Sequence, residues 1–167
     1  MNKWLLIGLG LIAAALGAAI YYKNVLKDII AKFEGLSLVP YQDAAGYWTI
    51  GYGHKIVAGD PYYPVGNVTK ITQEEADRLL DEDTANAKAA VEHFVTVTLS
   101  TPQLQALTSF VFNVGESAFQ HSTLLAKLNA GDYAGAASEF DKWTHAGGQV
   151  LTALVSRRAD EKQLFLS

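Results

Sequence analysis

The 167-residue chain contains no cysteine, one methionine and only four prolines. Without cysteine there is no disulfide scaffold, no thiolate nucleophile and no cysteine-based zinc site, while the redox compartment stays open. Basic residues are the minority, 13 Lys+Arg against 17 Asp+Glu, for a net charge of −4. Sequence-independent nucleic-acid binding requires a basic surface, so no nucleic-acid partner is expected. His93, His121 and His145 lie scattered, without the spacing of metal ligands, and no metal site is expected. The chain also has no internal repeat and no low-complexity linker. Hydrophobicity is what it has in excess: half of its residues are hydrophobic and the mean hydropathy is +0.11. That excludes a disordered chain and is high for a soluble protein of this length.

The excess sits at the amino terminus. Residues 4–22 (WLLIGLGLIAAALGAAIYY) carry no charge, and eight of the nineteen are Ala or Gly. As a helix they reach about 28 Å, close to the thickness of a bilayer's hydrocarbon core. Ala and Gly contribute little apolar surface, so insertion is weak. Three readings follow: a secretory signal cleaved near Gly17-Ala18-Ala19, an ordinary anchor, or a marginal anchor able to leave the bilayer. In the last, Gly10, Ala14 and Ala18 share a face that permits close helix packing. Lys3 precedes the span while Lys23 and Lys27 follow it, so flanking charge does not set its orientation. The chain therefore divides into a membrane segment over 1–22 and a domain over 23–167, the common size for one core.

Within that domain, Val25, Leu26, Ile29, Ile30 and Phe33 recur at helical spacing, and Gly35 is the natural stop. Residues 38–71, with Gly, Tyr, Trp, Thr and three of the prolines, read as a small sheet lobe with turns at Ala45-Gly46 and near Asp60-Pro61. Helices resume over 72–167. Thr72 and Glu75 suggest a capping box opening a helix to about Phe94. Thr101-Pro102 opens the most hydrophobic helix after the first, closed by Gly115 and expected through the centre of the domain. Ser122-Thr123 and Asp132 start two more, with a break at Gly147-Gly148 before a last helix over roughly Leu151 to Phe165. The predicted class is α+β, a small sheet lobe plus a mainly helical lobe, preceded by the apolar segment. Six acids between Glu74 and Asp83 read as a solvated helix face.

Glu34 falls at the end of the first helix, where the carbonyl ends present partial negative charge. A carboxylate there is disfavoured, so a raised pKa is expected, more so if Phe33 or Trp48 excludes water. A carboxylic acid protonated at neutral pH is what glycoside cleavage asks of its general acid. Asp43 lies nine residues on, in a polar turn whose backbone N–H groups can keep it ionised. Thr49, on a strand, offers a hydroxyl that can hold a water. Two carboxylates with opposite tendencies facing one cleft are the pattern for glycosidic hydrolysis. Tyr47, Trp48 and Tyr52 are candidates for stacking on sugars, although strand alternation lets only one face reach the cleft. His54 reads as structural, and Arg157-Arg158 as a helix-surface salt bridge.

The stretch EGLSLVPYQDAAGYWTIGYGH, residues 34–54, resembles the catalytic signature of the phage-type lysozymes, glycoside hydrolase family 24. Residues 71–76, 109–115, Trp143, Ala146-Gly147-Gly148 and Arg157-Arg158 extend the likeness. It implies a lysozyme-like fold, Glu34 as general acid, and Asp43 and Thr49 positioning the water. The implied reaction inverts the anomeric carbon while cutting the β-1,4 link between N-acetylmuramic acid and N-acetylglucosamine. No cofactor is implied, and the expected partner is the peptidoglycan glycan strand. Gln149, Ala153 and Ser156 depart from the family's usual residues and affect only expected substrate contacts of the carboxy-terminal lobe. The span over 4–22 further resembles the signal-anchor-release endolysins. That implies a monomer held at the host inner membrane and later released to the periplasm. A lytic transglycosylase, a non-catalytic wall-binding module and a membrane-perforating protein are the rival classes.

Overall fold

A computed structural model describes residues 25–43, 46–66 and 69–167. The apolar span of residues 4–22 lies outside them, as does Ala45 of the expected Ala45-Gly46 turn. Among the described residues, no helix is long and apolar enough to cross a membrane.

The first helix, α1, covers residues 25–34 and ends at Gly35, whose N–H closes on the Ala31 carbonyl at 3.2 Å. Its buried residues Leu26 and Ile30 pack with Ile50, Ile71, Ala76, Leu79 and Leu80 in a first core. An antiparallel sheet follows in the order β1 (Ser37–Gln42), β2 (Trp48–Gly51), β3 (His54–Lys55). Tyr41 pairs with Thr49 and Thr49 with Lys55, so these three residues form one row across the sheet.

Helix α2 (Gln73–Phe94) starts at Thr72, whose hydroxyl accepts from the Glu75 N–H at 3.1 Å. The expected reciprocal bond is replaced: Tyr62 and Arg78 take the Glu75 carboxylate. Helix α3 (Thr101–Val114) begins one residue earlier than expected, with Ser100 as cap and a full capping box to Gln103. Residues 105–111 are all buried, which puts α3 through the middle of the domain as its composition suggested. Around it lie α4 (Glu116–Gln120), α5 (Thr123–Asn129), α6 (Tyr133–Glu139) and a 3-10 turn, Phe140–Lys142. Phe110, fully buried, meets Phe140 and Trp143 edge-on at 5.2 Å each, the favoured geometry for ring quadrupoles. This second core is separate from the first, and Phe112 of α3 packs against both.

The break at Gly147-Gly148 is a hairpin joining β4 (His145–Ala146) to β5 (Gln149–Val150). Both glycines have positive φ, +59° and +78°, the conformation a two-residue hairpin turn requires. Helix α7 (Thr152–Phe165) then returns across α3.

Candidate active site

Three backbone features gather the expected residues. Helix α1 ends at Glu34, β1 runs out into Asp43, and β2 carries Thr49 inward with 2% of its surface exposed. Between them stands Tyr41. Burial raises its phenol above the usual tyrosine range, and the charges of Glu34 and Asp43 raise it further. Both carboxylates are thus within electrostatic reach of one side chain that pairs across the sheet with Thr49.

Asp43 is held by its own turn. Its Oδ1 accepts from the Tyr47 N–H at 2.9 Å, its carbonyl from the Gly46 N–H at 2.9 Å, and its N–H donates to the Tyr47 carbonyl at 2.9 Å. The backbone donor expected for this carboxylate is therefore Tyr47. Thr49 donates its hydroxyl to the Tyr47 carbonyl at 3.0 Å, which leaves the hydroxyl oxygen able to act only as an acceptor toward any other group.

Glu34 is bounded by two residues. Gly53 passes so close that a β-carbon built on it would stand 3.3 Å from Glu34 Oε2. From α7, the Arg157 guanidinium makes an ion pair with Glu34 Oε1. Arg157-Arg158 are consequently no surface salt bridge. Their side chains are 2% and 1% exposed, because α7 packs that face onto α3. Arg157 Nε lies 3.1 Å from Glu161 Oε1, and Ser109 donates to the same oxygen at 2.7 Å. Arg158 Nε lies 3.0 Å from Glu161 Oε2, and Arg158 Nη2 reaches Asn113 at 2.9 Å. Burial pushes Glu161 above the usual carboxylate range, against the two arginines, and lowers Arg158 to about 10. This cation, beside Glu34, lies 123 positions away in sequence, beyond the reach of local helix-end rules. Its sequence signal is the spacing of Arg157 and Arg158 four and three residues before Glu161.

A groove of about 510 Å³ lies between β3, α2 and the carboxy-terminal end of α3, past Phe112 and Asn113; Gly53 lines it, whereas Glu34, Asp43 and Thr49 do not. His54 lines it as a structural residue, with Nδ1 2.9 Å from Asp83 and Nε2 3.7 Å from Asp60. The Asp83 hydrogen bond, helped by the charges of Asp83, Asp60 and Glu82, raises His54 above 6.5 against the opposing effect of burial. At least four of the six acids expected on a solvated face of α2 are thus engaged: Asp83 with His54, Glu75 with Tyr62 and Arg78, Glu82 with Arg78, and Asp77 with Lys27. Of the aromatic candidates, Tyr52 is buried and receives a hydrogen bond from Gln73, while Tyr47 and Trp48 are exposed. Strand alternation puts Tyr47 on the Thr49 face and Trp48 on the Ile50 face, and Lys55 sits 4.5 Å over the Tyr47 ring.

Known proteins share this fold. The family model for phage lysozyme matches residues 31–161. The endolysin of Acyrthosiphon pisum secondary endosymbiont phage 1 is 46% identical over 143 residues, covering 83% of this chain and 93% of that protein. The SAR-endolysin of Escherichia phage Mu is 35% identical over 144 residues, covering 86% of this chain and 80% of its own. Among solved structures, the muramidase domain of SpmX from Asticaccaulis excentricus has a TM-score of 0.74 at 38% identity, covering 86% of this chain and 95% of that domain. The two-lobed fold and these relatives define a glycoside hydrolase of the lysozyme type. Within that class, the chain belongs to the phage lysozyme family.

Proposed function

We propose that the protein is an endolysin that hydrolyses the β-1,4 bond between N-acetylmuramic acid and N-acetylglucosamine in bacterial peptidoglycan, lysing the host cell. The observation that carries this reading is Tyr41, electrostatically coupled to both Glu34 and Asp43 and paired with Thr49. It supports one site made of two carboxylates and a hydroxyl. Glu34 protonates the glycosidic oxygen as the bond breaks. Asp43, fixed by the Tyr47 N–H, draws a proton from a water that Thr49 helps hold, and that water attacks the anomeric carbon from the opposite face. The groove beside Gly53 accommodates further sugars, and the exposed Tyr47 ring offers a stacking face. The protein acts as a monomer.

Residues 4–22 serve as a signal-anchor that holds the protein at the host inner membrane and later leaves it, freeing the enzyme into the periplasm. The likeness to a SAR-endolysin supports this, as does the Ala/Gly dilution of the span. The test of the chemistry is the end group left on digested murein. Hydrolysis yields new reducing sugar ends. A 1,6-anhydro end would instead identify a lytic transglycosylase, which needs the acid but no positioned water.

A further inference from the structure

Glu161 has no part in the mechanism above, yet it is a carboxylate kept entirely out of solvent. An isolated carboxylate in such a place costs several kcal/mol unless its oxygens are well satisfied. Oε1 accepts from Ser109, Arg157 and Arg158, whereas Oε2 has no hydrogen-bond partner and is offset only by the charge of Arg158 Nε at 3.0 Å. Arg157 is the shared member: Nε faces Glu161, Nη2 lies 3.3 Å from the Ser109 carbonyl, and Nη1 faces Glu34. A planar guanidinium held at two positions has its third direction fixed. Glu161 and Ser109 therefore determine where the nitrogen beside Glu34 points.

The charge balance matters as much as the aim. Around Glu34 stand Arg157 from α7, Tyr41 from β1 and the Gly53 backbone, with Arg158 also within electrostatic reach and Asp43 sharing Tyr41 with it. Around Glu161 stand Arg157 and Arg158 from its own helix, with Ser109 from α3 as the polar neighbour and Asn113 beyond Arg158. The other charges of α7, Asp160 and Lys162, face Lys32 and Asp141 on the surface. Arg157 is therefore the one cation paired directly with Glu34 among the described residues. Glu161, on the other side of the same guanidinium, offsets part of the charge that Arg157 presents there.

We propose that Glu161 is a positioning residue for the general acid: by holding the Arg157 guanidinium from the side away from Glu34, it aims Arg157 at Glu34 and offsets part of the charge that Glu34 meets. This rests on Glu34 being the general acid. The prediction is specific to pH. In Glu161→Gln, which keeps the shape and removes the charge, the alkaline limb of kcat/KM moves to lower pH by about one unit. KM changes less than kcat. Glu161→Asp, which keeps the charge on a shorter arm, returns the limb toward wild type. Ser109→Ala, which withdraws a hydrogen bond that favours the ionised form of Glu161 against its burial, moves the limb the same way by less. It decides the matter if circular dichroism shows Glu161→Gln unfolded.

The experiment is the pH–rate profile of the full-length chain on purified peptidoglycan for wild type, the three variants and Glu34→Gln. A folded Glu161→Gln (or, failing that, Ser109→Ala) whose profile superimposes on wild type apart from its height overturns the inference. The Glu34 assignment is judged separately: it fails if Glu34→Gln keeps wild-type rates.

Discussion

Gly53 and Glu34 are in contact, with room between them for hydrogen but not for a methyl group. A β-carbon on Gly53 would sit 3.3 Å from Glu34 Oε2, and Gly53 has φ of +88°. Gly53→Ala thus meets two penalties. The left-handed backbone costs about 1–2 kcal/mol for a residue with a β-carbon. The methyl also pushes the carboxylate by a few tenths of an ångström, and that carboxylate is the proposed acid. The expected result is a modest fall in Tm with an activity loss of about tenfold or more at temperatures where the variant is fully folded. Activity measured well below Tm separates the two effects.

The pair of His54 and Asp83 predicts how stability follows pH. His54 is raised above 6.5 in the fold, chiefly by the Asp83 hydrogen bond. Its contribution is fully present below about pH 6.5 and is lost as pH rises through the folded value. Glu75, lowered to about 2 by Arg78 and Tyr62, behaves oppositely: its contribution is present above 4.5 and is lost as pH falls toward 2. Asp83→Asn should cost about 1.5–3 kcal/mol at pH 5.5, with the gap narrowing at pH 9. Thermal melts of both proteins at the two pH values check this; an equal gap at both contradicts it.

Helix α1 should be held by its apolar side and not by its ion pairs. Ile30 is fully buried, whereas Lys27–Asp77 and Lys32–Asp160 lie on the surface. Ile30→Ala is expected to cost about 2–5 kcal/mol, while Lys27→Ala or Lys32→Ala costs under about 1 kcal/mol. Because Glu34 is on the last turn of α1, the activity of Ile30→Ala should also fall with temperature earlier than that of wild type. Denaturation curves alongside activity at stepped temperatures provide the measurement.

The proposed anchor is tested by making it harder to withdraw. Leucine at Gly10, Ala14 and Ala18 adds roughly 2 kcal/mol or more of apolar burial per site. The triple variant should remain in the membrane fraction and delay lysis. If it fractionates and lyses as wild type does, the span is not a releasable anchor.

Much of this molecule is legible in its sequence. The helix stop at Gly35, the caps at Thr72, Ser122 and Asp132, and the apolar run from Leu104 to Val114 follow from local rules, and the structure places all of them. What escaped depends on distant partners. Arg157 and Arg158 look like surface charges until α7 is laid on α3 and Glu161 is seen between them. Glu75 and Asp83 look solvated until Tyr62 and His54 arrive from the sheet lobe. The hairpin at Gly147-Gly148 was read only as a break, because strands of two residues are too short to show alternation. In the candidate site, the motif around residues 34–54 pointed to Glu34, Asp43 and Thr49, but the ion pair joining Glu34 to α7 crosses 123 positions of sequence.

The most direct test of the account is the initial rate of reducing-end release from purified peptidoglycan by wild type and by Glu34→Gln, at matched concentration and with matching circular dichroism. Removing the general acid should lower the rate by about 10²–10⁴-fold. A folded Glu34→Gln protein that digests murein within a few-fold of wild type would contradict it.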